Sequence, residues 1–400
     1  MASPTFLILA FDHPLRAVES VGEGMAAGLR SLGVATEALA LPRDNARLAA
    51  HLAGTPAGIL SLGPLPLSTV VDGVPLHRRV RCPVWLYFLD AVIYDLARVP
   101  VTRAFLADAA GDPRLIPVTP EAGYLRLLGR RQEGGFWPSQ ATHLPFGCFP
   151  RWEVPLRPVP RQPRLCVIGT IGFELGGGRA GESLPELLAR ARPAGVAGDR
   201  LDALAEMLLS PHAPLVPAQA VMRALGWGPD DVTSPGHVAF VCAVDSWMKR
   251  ERRLAAVRSL VGVPVDFYGH GWDQAFPDAP SFRQGGQVAH DDIAALVRRY
   301  GAVLNFDPNW AAGVHDRVYT ACAMGVPVLT NDNSALDGAG LPPDLLHVYD
   351  ANRPALAELA RRALAGCPEP ARPRLDVLKA HGWMDRMARL AETVPGGMQA

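Results

Sequence analysis

The run "GVHDRVYTACAMGVPVLTND" (313–332) sets His315, Asp316 and Arg317 directly ahead of a string of small and apolar residues. Val318, Ala321, Cys322 and Gly325 recur at helical spacing, which predicts a helix over 316–324 with that face buried. A helix N-terminus carries unpaired N–H groups and about half a positive charge. An arginine in the first turn adds a permanent, planar cation able to grip a phosphate through two parallel bonds. Together they make an anion site. A plainer assignment has Asp316 capping the helix and Arg317 pairing with an exposed carboxylate, and local chemistry alone leaves both open.

Other residues could join such a site. Gly169, Thr170 and Gly172 follow the strand-like "RLCVIG", where backbone amides without side chains in the way can approach phosphate; an ordinary strand-to-helix turn would look the same. Tyr268, Gly269, Gly271 and Trp272 end another strand-like run, where a base or sugar could stack, although Trp272 also suits a core. Asn305 sits at the end of "GAVLN", placed to bond a ribose or sugar hydroxyl. Asp12 and His13 follow the first strand and Asp90 follows "WLYFL". A carboxylate or imidazole there could take a proton from an attacking hydroxyl. Equally, Asp12 could cap a turn that His13-Pro14 begins.

These residues need elements to hold them. Short apolar runs at 5–10, 34–41, 57–63, 82–90, 114–119 and 142–147 read as strands buried on both faces, with a helix near 18–32 between the first two. Residues 150–163 carry five prolines in fourteen positions and can sustain neither a helix nor a central strand, so they read as a linker. The alternation then resumes, with strands at 164–172, 263–272, 301–306, 326–331 and 346–350. Between or after them lie amphipathic helices at 290–300 and 353–365. Residues 173–235 suggest an insert of short helices. The stretch 234–262, opened by Ser234-Pro235 and closed by Gly262, reads as one long helix, though "HVAFVCAV" also suits a strand. The expected fold class is α/β, with two Rossmann-like doubly wound domains facing across a cleft. The divisions are 1–155, 156–380, and a C-terminal segment 381–400 whose helix (381–394) returns to the first domain.

Composition narrows the partners. A chain that is 49% hydrophobic and 20% charged builds a substantial core, and 39 basic residues balance 39 acidic ones. No net field recruits nucleic acid. The arginine-rich "MKRERR" (248–253) reads as a solvated helix face. All but two of the basic residues, Lys249 and Lys379, are arginines, which fits a GC-rich bacterial genome. The six cysteines are scattered singly, and no H-x-x-x-H or cysteine cluster suggests a metal. No P-loop signature is present. No apolar stretch reaches the roughly 20 residues that span a bilayer, and the start reads as a strand, so a cytoplasmic protein with no integral membrane segment is expected.

The motifs "YGHGW", "AVLNF" and "GVHDRVYTACAMGVPVLTND" stand in the order and spacing of the CgeB-like (spore-coat type) glycosyltransferases, which this chain resembles over about 160–365, with a weaker likeness at "WLYFLD". That group is related to the group-one glycosyltransferases of the GT-B fold. The resemblance implies a metal-independent, hexosyltransferase-type enzyme without a cofactor. It would take a nucleoside-diphosphate sugar, UDP- or GDP-linked, on the second domain, and an acceptor (glycan, protein or small molecule) on the first. It implies Arg317 as the group stabilising the leaving phosphate, with His315, Asp316 and Thr320 beside it. Thr320 departs from the pattern, which places a glutamate there to accept ribose hydroxyls. Two other functions share these features: a GT-B sugar-nucleotide epimerase, and a non-catalytic sugar-nucleotide-binding scaffold.

Overall fold

The computed structural model describes residues 5–90, 93–95, 104–105, 108, 111–128, 141–148, 157–171, 181–228, 231, 234–307, 310–366 and 370–392. The chain divides into two compact units. The first comprises Met1–Arg151, Ala289–Asp291 and Lys379–Ala400; the second comprises Trp152–Val288 and Asp292–Leu378.

The first unit is built on β1 (Phe6–Phe11), β2 (Thr36–Leu41), β3 (Gly58–Leu62), a small antiparallel hairpin of β4 (Val70–Val71) and β5 (Val74–Pro75), then β6 (Val84–Tyr87), β7 (Leu115–Thr119) and β8 (Thr142–His143). Six of these form one parallel sheet in the order β2-β1-β3-β6-β7-β8. β1 reads "FLILAF" without polar alternation because it is covered on both faces, with Leu7, Ile8 and Leu9 fully buried.

The helix Ala17–Ser31 carries Gly22, Gly24 and Gly28, each costing about 1 kcal/mol of helix propensity against alanine. The packing explains them. A Cβ at Gly24 would sit 2.5 Å from the Trp383 ring, and one at Gly28 would sit 2.7 Å from the Trp383 carbonyl oxygen. Trp383 opens the C-terminal helix Trp383–Glu392, which lies against this helix in the same unit.

The second unit holds β9 (Gln162–Ile168), β10 (Val265–Tyr268), β11 (Phe282–Gly286), β12 (Tyr300–Leu304), β13 (Val328–Asn331) and β14 (Leu346–Tyr349). They form a parallel sheet in the order β11-β10-β9-β12-β13-β14. β11 has no counterpart in the sequence reading. "FRQGG" is polar and glycine-rich, and the chain tolerates it as a strand because it occupies the exposed sheet edge. Between β9 and β10 come helices Leu184–Ala191, Gly198–Leu209 and Pro217–Leu225, then the long helix Pro235–Arg258. "HVAFVCAV" belongs to that helix; its strand-like look comes from burial of Val238 and of every residue from Phe240 to Val244.

The "MKRERR" segment corrects the expectation of a solvated face. Lys249 and Arg252 are buried. Lys249 pairs with Asp245 at 2.7 Å, and Arg252 donates to the carbonyls of Ala213, Pro214 and Leu215, tying the helical insert to the long helix. The principal core cluster of this unit packs Leu165, Val167, Phe267 and Leu304 of the sheet against Leu254, Val257 and Leu356 of the helices. Among the described residues, no helix is long and apolar enough to cross a membrane.

Candidate functional site

The second sheet has the Rossmann strand order, in which the chain leaves β9 toward β10 and β11 on one side and returns through β12 to β14 on the other. The carboxyl ends of β9 and β12 therefore flank the point where the order reverses. Open parallel sheets take their ligands there.

β9 ends in Ile168, and the chain turns at Gly169 with φ 144°, a conformation that side chains rarely adopt. Gly269, after β10, has φ 138°, and a Cβ there would collide with the Gly169 carbonyl. Gly269 is glycine because two backbones run in contact there, whereas Gly169 is held to glycine by its φ, its open side facing the Arg317 guanidinium. Gly169 N–H donates to the Tyr268 carbonyl at 2.8 Å and Ile171 N–H to the His270 carbonyl at 3.0 Å, locking the two loops together. The Thr170 carbonyl accepts from Arg253 of the long helix at 2.7 Å. Gly172 lies outside the described residues.

The helix Asp316–Ala323 aims its first turn at the same loop. Its cap is His315, whose ring Nδ1 accepts from Arg317 N–H at 3.3 Å, while the Asp316 carboxylate accepts from the same N–H at 2.8 Å. His315 Nδ1 and the Asp316 carboxylate also lie in close contact. The helix end therefore supplies less free N–H than the sequence suggested, and the cation carries more of the site. The Arg317 guanidinium donates to the Ile168 carbonyl and lies along the His315 ring, with Nε 3.3 Å from Nδ1 and Nη2 3.1 Å from Nε2, and a neutral imidazole accepts at one of those two nitrogens. A guanidinium has five N–H donors. The Ile168 carbonyl and one ring nitrogen engage two of them, which leaves three unspent among the described residues. Thr320 lies one turn further in and is buried.

One expectation is corrected here and two are narrowed. Trp272 is fully buried, stacked on Phe267 with centroids 4.6 Å apart, and its Nε1 donates to the Gly169 carbonyl at 2.7 Å. It braces the loop from the core and offers no face to a base or sugar. The Tyr268 hydroxyl pairs with the Tyr300 hydroxyl at 2.7 Å, and Tyr300 donates to Asp266, which Arg164 neutralises at 2.6 Å, so the hydroxyl is spent on an internal network while the ring stays half-buried. Asn305 is fully buried and its amide N–H donates to Thr330 Oγ1 at 3.1 Å, joining β12 to β13, while its Oδ1 lacks a hydrogen-bond partner among the described residues.

Asp307, two residues beyond Asn305, is the functional candidate that sequence reasoning missed. It is fully buried, its N–H donates to Asn331 Oδ1 at 2.6 Å, and neither carboxylate oxygen has a well-formed hydrogen bond. Burial pushes its carboxyl above the usual range, opposed by the charges of His315 and Arg317. A lone carboxylate just past the carboxyl end of a central apolar strand was the available signal.

The remaining candidates belong to the first unit. Asp12 directly follows β1 and pairs with Arg43 at 3.1 Å, keeping a partly exposed carboxylate. His13 Nδ1 accepts from Leu15 N–H at 3.2 Å, and its own N–H donates to Glu19 at 3.0 Å, so His13 shapes the turn into the first helix. Asp90 sits beyond the end of β6. Among the described residues, no group of three or more His, Cys, Asp or Glu side chains is gathered to hold a metal ion.

Residues 249–392 match the family model described as "Glycosyl transferase-like". No curated protein sequence matches the chain. Among solved structures, sucrose-phosphate synthase of Thermosynechococcus elongatus is similar with a TM-score of 0.50 at 13% identity, over 98% of this chain and 98% of that one. AviGT4, a glycosyltransferase involved in avilamycin A biosynthesis, has a TM-score of 0.49 at 14% identity, covering 98% of this chain and 96% of its own. HepE of Anabaena, solved in complex with UDP and glucose, has a TM-score of 0.46 at 12% identity, covering 98% and 99%. The chain carries a glycosyl transferase-like domain over 249–392, within a GT-B fold of two Rossmann-like units.

Proposed function

We propose that this protein is a CgeB-like glycosyltransferase of the hexosyltransferase type, moving a sugar from a nucleoside-diphosphate donor to an acceptor hydroxyl. The observation that carries the reading is the meeting of Arg317 with the Gly169 loop at the switch point of the second sheet. Departure of a nucleoside diphosphate builds negative charge on the leaving oxygen. Arg317, already oriented by His315 and the Ile168 carbonyl, meets that charge with donors that need no reorganisation. Positive charge comes from the side chain, so the transfer is read as metal-independent. The donor is a UDP- or GDP-sugar. Asp316 takes the hydroxyl-accepting role that the family pattern gives to the residue at Thr320.

The first unit supplies the acceptor contacts, with Asp12 as the base for an inverting transfer and Asp90 as the second carboxylate candidate. The domain division follows as 1–155 for the acceptor, 156–380 for the nucleotide sugar, and 381–400 returning to the first. A cytoplasmic site of action fits the described cysteines, which are all free and buried.

The test is thermal shift against UDP, GDP and their sugars. A ligand at a hundred times its dissociation constant stabilises by about 2.7 kcal/mol. Absence of any response to either nucleotide sinks the reading. Isomerisation of the donor without any transfer would favour an epimerase instead.

A further inference from the structure

The first sheet has a switch point of its own. In the order β2-β1-β3-β6-β7-β8 the chain runs from β1 outward to β2, then crosses back to β3 on the other side of β1. This is the flavodoxin-like arrangement, whose ligand crevice lies at the carboxyl ends of β1 and β3. A cavity of about 320 Å³ lies there. Its walls are Phe11, the last residue of β1, Leu41, the last residue of β2, Pro42, and Leu65 and Pro66 from the segment after β3. That volume falls within the range of sites that enclose small molecules.

The lining decides what fits. Five of the seven lining residues are apolar and none is charged; the other two are Ser68 and Thr69. Ser68 Oγ donates to the Leu65 carbonyl at 2.7 Å, so its proton is already committed. The Thr69 hydroxyl forms no hydrogen bond among the described residues. Such walls cannot repay the desolvation of a sugar ring, which needs a partner for each hydroxyl. They do match a flat or alicyclic hydrocarbon body with one or two polar groups. Charge appears only beside the cavity, where Asp12 follows Phe11 and Arg43 follows Pro42, the two paired at 3.1 Å.

We propose that this cavity binds the ring of an uncharged small-molecule alcohol or phenol, whose hydroxyl faces the Asp12 edge. As an acceptor assignment this rests on the glycosyltransferase reading; as a binding site it does not. The acceptor is then a ring-bearing alcohol or phenol and not a glycan.

The test is direct binding of 4-methylumbelliferone, a neutral two-ring phenol, to the full chain by saturation-transfer NMR, with methyl glucoside as the polar comparison. The phenol binds and the glucoside does not. Leu65→Asp places a charge in the wall, and Thr69→Trp fills the cavity from the opposite chemistry. Each weakens phenol binding at least about tenfold, the effect of losing one good apolar contact. The melting temperature and circular dichroism of the variants stay at the wild-type values, which establishes that they are folded whether or not the protein binds nucleotide. The proposal is overturned if the wild-type protein ignores the phenol at millimolar concentration, if both folded variants bind it as the wild type does, or if methyl glucoside binds equally well. Phenol binding that responds to both variants in a protein indifferent to nucleotides supports the cavity while removing the transferase reading.

Discussion

Trp272 donates its indole N–H to the carbonyl of Gly169 at 2.7 Å, so a residue of the hydrophobic core holds the loop that ends β9. Trp272→Phe keeps an aromatic ring against Phe267 while removing that bond and part of the buried indole. A typical hydrogen bond contributes about 1 kcal/mol, so nucleotide affinity measured by calorimetry falls by roughly five- to tenfold while the fold persists. Gly269→Ala is harsher, because the added methyl meets the Gly169 backbone at a positive φ. It abolishes the nucleotide-induced thermal shift.

Arg317→Ala removes the cation and its links to Ile168 and His315. Charge-assisted bonds contribute about 1.5–3 kcal/mol, so binding of UDP or GDP weakens by roughly 10- to 150-fold. Arg317→Lys does not restore it, since an ammonium lacks the planar fork that spans the carbonyl and the ring together. Wild-type affinity in either variant would remove Arg317 from the site.

Asp307 gives a pH signature. Burial raises its carboxyl above the ordinary value, so the folded protein holds that proton more tightly than the unfolded chain. The contribution to stability is complete below the usual aspartate range and is lost as pH rises through the raised value. Asp307→Asn, which cannot ionise, therefore raises the melting temperature near pH 7–8, and the gain shrinks toward pH 4. If Asp307 serves the site, turnover falls in the same variant whose stability rises. A variant with unchanged turnover and raised stability assigns Asp307 no role beyond structure.

Trp383 is seated against Gly24, Gly28 and Gly147, each of which leaves no room for a Cβ. Trp383→Ala costs about 3–5 kcal/mol, read by urea denaturation and by faster hydrogen exchange in the 17–31 helix. Gly28→Ala improves helix propensity yet destabilises, because the methyl strikes the Trp383 backbone.

The sequence by itself determined the layout. Apolar runs such as "FLILAF" and "VPVLTN" have only one stable use, as strands buried on both faces, and small residues at helical spacing fix the inward face of 316–323. Arg317 and the glycines at 169 and 269 were legible for the same reason: their chemistry is local. Partnership was not. Trp272, Tyr268 and Asn305 stand at the correct ends of their strands, yet the indole N–H, the phenol hydroxyl and the amide N–H go to residues 25 to 103 positions away, and no local pattern records that. "MKRERR" looked solvated because charge predicts exposure only until a carboxylate or carbonyl is folded against it. Asp307 gained its interest only when the sheet and the 316–323 helix closed over it and took its water away. Tertiary structure decided which polar groups are consumed by the fold and which, like the remaining donors of Arg317, are not.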